Sequence, residues 1–441
     1  MSENFKESGS QAPTRHAIDW KNPEFYDEQL LNKELERVYD ICHGCRRCLS
    51  LCEAFPTLFD LIDDSESMEV DGVDKKDYMK VVDECYLCDL CFLTKCPYVP
   101  PHEWNLDFPH VMLRGKAVKY KKQGTRFRDK VLSSTDTVGK LAGIPVISSI
   151  VNATANTGLA KGIMGIHKDA RIPKFHSKTF YKGHKTHQSS NTETVEAGKT
   201  SGKVVLFSTC YGNRNDPVIA TDLLKVFEHN GIQVKVVEHK ACCGMPKLEL
   251  GDLEAVEAAK NINVPHLEAL IDEGYDIVAP IPSCTLMFKQ ELPLMFPDEA
   301  AVAKVRDHMF DPFEYLAIRH KHEKLNTDFK TSLGKVVLHV ACHQRVQRIG
   351  FKTRDILRLV PETEVQSIER CSGHDGTYAV KKEFHEHAVK IGRPVASKLK
   401  EADADHFVSD CVMAAHHITD IAADGTVGKH PLSLLCIAYG I

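Results

Sequence analysis

Apolar residues near the start of the chain recur at helical spacing: Leu31, Leu35, Val38 and Ile41 share one face and predict a helix running from Asn32 into Ile41. A second stripe, Leu58, Leu61 and Ile62, predicts another helix soon after. Beyond residue 202 the pattern changes: short apolar runs alternate with amphipathic stretches, and the same order occurs twice. The first pass predicts strands at 204–208, 234–238 and 277–281, with a helix at 217–229 between the first two. A further helical stretch there is capped by Asp252 and closed by Gly274, and Pro265 is expected to break or bend it. The second pass predicts strands at 336–340, 365–368 and 407–408, a helix at 353–360 and a long helix at 378–399 interrupted by Pro394. Repetition of this kind predicts an internally duplicated α/β unit.

At 441 residues the chain is too long for one core. The expected organisation is a flexible lead-in over 1–30, a mainly helical domain over 31–125 and a connecting segment over 126–200. Two α/β units follow, over 201–330 and 331–441. Within the connection, the Gly, Ser, Thr, His and Lys-rich tract 183–202 reads as a linker. The uncharged stretch from Leu141 to Ala160 contains Pro145, Asn152, Thr154 and Asn156, so it reads as buried or partner-facing rather than spanning a membrane. The polar opening Met1-Ser2-Glu3-Asn4 predicts no secretory signal, and a cytoplasmic chain is expected. A net charge of −5 argues against a nucleic-acid partner.

Cysteine placement changes the picture most. The chain has sixteen, and without a secretory signal that number argues for metal or redox chemistry over disulfides. Cys42, Cys45, Cys48 and Cys52 form one C-x2-C-x2-C-x3-C run, and Cys85, Cys88, Cys91 and Cys96 form a second that spaces its last cysteine by four residues and is followed by Pro97. C-x2-C alone also suits zinc, but a third cysteine at the same short interval, twice over, favours [4Fe-4S] clusters. In two-cluster ferredoxins the fourth cysteine of each run serves the other cluster. One cluster is therefore expected on Cys42, Cys45, Cys48 and Cys96, and the other on Cys85, Cys88, Cys91 and Cys52. In the α/β units each further cysteine stands just past a predicted strand end: Cys210, Cys242, Cys243 and Cys284 in the first, Cys342, Cys371 and Cys411 in the second. Loops at that edge of a parallel sheet gather ligand groups.

The segments Cys210–Pro217, Lys240-Ala-Cys-Cys-Gly-Met-Pro246, Ser283–Glu291, Cys342-His-Gln-Arg345, Cys371-Ser-Gly-His-Asp-Gly-Thr-Tyr378, Ser409-Asp-Cys411 and His430–Leu435 resemble the CCG-domain iron–sulfur oxidoreductases. That family includes heterodisulfide reductase catalytic subunits and the iron–sulfur subunits of anaerobic glycerol-3-phosphate dehydrogenase. The resemblance implies an α+β multidomain chain, with a two-cluster ferredoxin-type domain followed by a duplicated cysteine-rich pair. It also implies a cluster or metal in the CCG units. This chain departs from the family at the closing C-x-x-C, where Met287 and Ala414 stand, and at Ser372 within the second CCG. Four thiolates in the first unit suffice for an iron–sulfur cluster or zinc. The second unit offers three, with His343 or His374 as completing ligands or as ordinary hydrogen-bonding residues; the alternative is a degenerate site whose cysteines are simply small buried residues.

No Gly-rich nucleotide loop follows a strand, so no flavin or nicotinamide site is expected. The function expected is an electron-transfer subunit that passes single electrons through two clusters to or from a CCG metal site. A redox partner such as a flavin-bearing dehydrogenase would stand at one end, and a quinone pool or further carrier at the other. Attachment at the inner face of the membrane would then run through that partner. The alternatives are reduction of a disulfide at a CCG-bound cluster, or a redox or oxygen sensor.

Overall fold

A computed structural model describes residues 13–189, 194–238 and 240–441. The helical part is built on a helix at Glu28–Cys45, longer than the apolar stripe alone predicts. Asp27 starts it by accepting from the N–H groups of Gln29 and Leu30 at 2.9 and 2.8 Å. Leu31, Leu35, Val38 and Tyr39 lie along its buried face, and Arg46 ends it in the left-handed region at φ 51°. Cys42 and Cys45 thus sit on its last turn. Helices Ala54–Asp63, Tyr78–Glu84 and Phe108–Gln123 pack around it. At Gly115 an added Cβ would lie 2.9 Å from a Val82 methyl, so glycine lets the third and second of these approach.

Residues 13–26 do not form the flexible lead-in expected of them. Thr14 N–H donates to Pro100 O at 3.1 Å and Ile18 N–H to Leu294 O at 2.8 Å. Ile18 and Trp20 are buried, and the Trp20 indole N–H donates to Met295 O at 3.1 Å. The linker tract differs too: residues 190–193 lie outside the described residues, but Ser189 bonds the Val234 backbone and Val195 O accepts from Arg319 at 2.9 Å.

The two α/β units each form a four-stranded, wholly parallel sheet. The first comprises β1 Lys203–Leu206, β2 Gln233–Val236, β3 Asp276–Val278 and β4 Met309–Phe310, in the order β2-β1-β3-β4. The second comprises β5 Gly334–His339, β6 Thr363–Ile368, β7 His406–Ser409 and β8 Gly428–Lys429, in the order β6-β5-β7-β8. Register is equivalent: Val205 faces Lys235 and Ile277, while Val337 faces Gln366 and Phe407. The fourth strands, two residues each, carry too little pattern to be read from sequence. Neither proline ends its helix: Leu253–Asp272 runs through Pro265 and His385–Glu401 through Pro394. Burial of Val264, Leu267 and Leu270 on one, and of Val395, Ala396 and Leu399 on the other, outweighs the lost backbone bonds. The predicted helix at 378–399 is instead a short 3-10 turn, Tyr378–Val380, followed by His385–Glu401.

The units embrace reciprocally. Helix Pro312–Lys321 of the first packs on Lys352–Leu357 of the second, and helix Pro431–Tyr439 of the second packs on Pro217–His229 of the first. His430 bonds Pro280 O at 3.1 Å across the same boundary. This arrangement brings the carboxyl ends of the strands, and the cysteines on them, toward the helical part. Residues 141–160 are mostly open: Ala142 and Ser148 are buried, but Ile144, Val146, Ile147 and Ile150 are exposed. Among the described residues no helix is long and apolar enough to cross a membrane.

Candidate metal centres

Four groups of cysteines converge, and all sixteen thiols are free. In the first group Cys42 lies among Cys96, Cys48 and Cys45. Burial, and then those neighbours, push its thiol well above the ordinary range. The same causes push Cys48 up to about 12, and burial takes Cys96 to about 11. These four residues line a cleft of about 290 Å³ walled by Ile41, Phe55, Phe59, Pro97 and Tyr98.

The second group adjoins it. Cys91 is raised by burial, then by Cys48, Cys85 and Cys52. Cys52 is raised by burial and Cys85, and less strongly by Cys371 and Cys48. Cys88 reaches across to the second α/β unit: after burial, the groups that raise it are Asp375, Cys342, Cys371 and Cys52. The Tyr86 hydroxyl completes the junction, 3.4 Å from the Cys371 sulfur.

In the first α/β unit, Cys210, Cys242, Cys243 and Cys284 meet past the ends of β1, β2 and β3. Cys242 accepts from Cys210 and Cys243, which draws it well below the ordinary thiol value, and Cys243 also bonds Cys284. The Cys242 N–H donates to Asp136 at 2.6 Å, which ties the group to the connecting segment. Met287, at the missing fifth position, is buried and opens a π-helical turn, Met287–Glu291.

In the second unit Cys342, Cys371 and Cys411 occupy the matching edge, and the side chain joining the first two is Asp375. Its two carboxylate oxygens lie 3.6 Å from Cys342 Sγ and 3.3 Å from Cys371 Sγ. Neither histidine considered from the sequence plays this part. His343 has Asp89 and Glu291 as its charged neighbours, and His374 has His417 and His416. Ser372 accepts from the His374 N–H at 3.3 Å.

The donor set suits iron–sulfur clusters. Buried thiols that raise one another ionise only against a compensating cation, and thiolates are the ligands such clusters take. Backbone N–H groups already point at many of the sulfurs: Ala54 at Cys52, Leu87 at Cys85, Tyr98 and Val99 at Cys96, and Gly244 at Cys242. In the second unit His343 N–H serves Cys342, Gly373 N–H serves Cys371 at 3.3 Å, and Met413 and Ala414 serve Cys411. Among the described residues, no three His, Cys, Asp or Glu side chains are drawn in to the geometry of a single-ion site.

The sequence did not point to Asp375, to Tyr86, or to the buried charges between the two α/β groups. Glu249 is pushed up to about 7 by burial, with Lys381, Asp375, Lys116 and Cys242 around it. The only signal was position: Asp375 stands two residues past the end of Cys371-Ser372-Gly373, a CCG motif lacking one cysteine.

The motif glycines differ in what holds them. Gly244 has φ 102°, and a Cβ there would meet only ordinary contacts. Gly373 has φ 77°, and a Cβ would fall 2.1 Å from Ala388 O. Gly244→Ala is therefore expected to cost about 1–2 kcal/mol through its backbone conformation. Gly373→Ala should cost more, because a backbone clash is added. Denaturant melts of the two variants check the order.

Residues 204–289 and 336–418 each match the family described as the cysteine-rich domain CCG. Two segments in tandem thus match the CCG domain. Over 336 residues it is 26% identical to the C subunit of anaerobic glycerol-3-phosphate dehydrogenase of Escherichia coli, covering 74% of this chain and 81% of that one. The B subunit of fumarate reductase (CoM/CoB) of Methanothermobacter marburgensis is 27% identical over 246 residues, 54% of this chain and 46% of its own. Lactate utilization protein A of Bacillus cytotoxicus is 26% identical over 188 residues, 41% of this chain and 75% of its own.

Proposed function

We propose that this chain is the iron–sulfur electron-transfer subunit of an oxidoreductase complex, with a [4Fe-4S] cluster on Cys42, Cys45, Cys48 and Cys96 and another on Cys85, Cys88, Cys91 and Cys52. The carrying observation is the continuity of the thiol groups. Cys48 neighbours Cys91 and Cys52, and Cys88 neighbours Cys342 and Cys371. Such clusters supply one-electron transfer without bond making. The protein's own contribution is placement: two groups fixed by the helical part, and the next by the strand ends of the second unit. Burial and N–H donors to the sulfurs hold the thiolates and set their potentials.

The first CCG unit, with its four cysteines, takes a further cluster or zinc. Relatives named as dehydrogenase and fumarate reductase subunits support a partner that carries the two-electron chemistry, with a quinone or another carrier at the far end. The exposed Ile144, Val146, Ile147 and Ile150 offer such a partner an apolar face, and any membrane attachment would run through it. Iron and acid-labile sulfide determination with low-temperature EPR on anaerobically purified protein tests the reading. About eight irons or more per chain, with two interacting reduced clusters, is the expected result; zinc without iron would end it.

A further inference from the structure

We propose that Asp375 is the fourth protein ligand of an iron–sulfur cluster in the second CCG unit, held with Cys342, Cys371 and Cys411 and placed to exchange electrons with the cluster on Cys52, Cys85, Cys88 and Cys91. The inference rests on the reading of the chain as an iron–sulfur electron-transfer subunit and adds a site that reading leaves open.

Three independent observations carry it. Asp375 spans two of the three cysteines, with one oxygen 3.6 Å from Cys342 Sγ and the other 3.3 Å from Cys371 Sγ. It does so from a strained backbone: its φ is 32°, left-handed for a residue with a side chain. All three cysteines also accept backbone N–H groups, from His343, Gly373, and the pair Met413 and Ala414. Those donors stabilise thiolate charge, as a cluster's sulfur ligands require.

The neighbourhood distinguishes a cluster from zinc. After burial, Asp375, Cys342 and Cys371 are the groups that most raise the Cys88 thiol, and Tyr86 O–H lies 3.4 Å from Cys371 Sγ. Zinc neither accepts nor gives an electron, so a zinc ion there would end the line of groups at an inert centre. A carboxylate oxygen is also a harder and more labile donor than a thiolate. It therefore leaves one iron distinct from the other three, with a position that an external ligand can enter. The loss of one CCG cysteine, to Ser372, is on this view a change of ligand rather than a decay of the site.

The test compares anaerobically purified full-length wild type with Asp375→Asn, Asp375→Cys and Cys371→Ser, by iron and sulfide content and by EPR in the oxidised and reduced states. Asparagine keeps the side chain's shape but not its charge. The oxidised Asp375→Asn protein should show a three-iron signal that wild type lacks, and Asp375→Cys should restore a four-iron spectrum. Signals of the other clusters should be unchanged in both, and Cys371→Ser should lose the centre. Wild-type iron, sulfide and spectra in Asp375→Asn alongside loss of a centre in Cys371→Ser would overturn the role of Asp375. No change in either variant, or zinc as the metal lost, would overturn the site. In each of those cases the two ferredoxin-type signals would persist and the function proposed above would stand. Wild type without iron would remove both.

Discussion

Cys88→Ser is expected to remove one reduced-cluster EPR signal and to slow electron delivery from the first group to the second α/β unit by about a hundredfold or more. Replacing an outer-shell partner of a metal ligand already costs about 10- to 100-fold, and Cys88 is in the ligand set itself. It is also the cysteine of its run with Asp375, Cys342 and Cys371 as neighbours, so its loss separates the two halves of the molecule. Cys45→Ser is the contrast. It belongs to the outer group, where Cys42, Cys48 and Cys96 surround it, and it should abolish entry of electrons while leaving exchange between the second group and the α/β unit in place. Stopped-flow reduction by a dye, followed at cluster wavelengths, separates the two. Equal slowing in both variants would contradict the linear order.

The order of the groups was only half legible in the sequence. Duplication of the α/β units could be read because strand runs, capped helices and cysteines recur at matching offsets, and the sheets are parallel in both units. That the cysteines share one sheet edge followed from the same pattern. What could not be read is which unit's cysteines stand beside Cys88. The structure places the second beside Cys88, because the reciprocal packing of Pro312–Lys321 and Pro431–Tyr439 fixes the units' orientation. Asp375 was passed over for a related reason. Its flanking histidine looked the better ligand by chemistry, and only the turn between Gly373 and Gly376 decides which side chain faces the sulfurs. Pro265 and Pro394 show local preference losing to tertiary packing.

The packed N-terminal segment leads to a second large effect: Arg15→Ala should destabilise the protein by about 3–5 kcal/mol, the usual cost of removing one member of a buried charge network. Arg15 is 6% exposed and lies among three carboxylates. It donates to Asp89 at 2.9 Å and to Asp107 at 3.1 Å, and it stands 3.7 Å from Glu291. Its guanidinium also covers the Phe92 ring at 4.4 Å. Without it, His110 is the remaining cation, 3.1 Å from Asp107 and 3.7 Å from Glu291. Burial and Arg15 both oppose charge on His110, but Asp107 and Glu291 outweigh them and bring it to about 9. A folded-state value above the unfolded one of about 6.5 means that His110 stabilises fully below pH ~6.5, and that this contribution fades as the pH rises through about 9. In Arg15→Ala the repulsion from Arg15 is gone, so the fade should move to higher pH even as overall stability falls. Denaturant melts of the cluster-loaded protein between pH 6 and 10 check both parts. A double variant, Arg15→Ala with Asp89→Ala, should recover part of the loss by removing one stranded carboxylate. Because Asp89 follows Cys88 directly, the same melts, read at cluster wavelengths, would show whether the N-terminal segment clamps the second cysteine group: release of iron in step with unfolding of residues 13–26 is the expected sign, and retention of iron after that segment is cleaved would rule the clamp out.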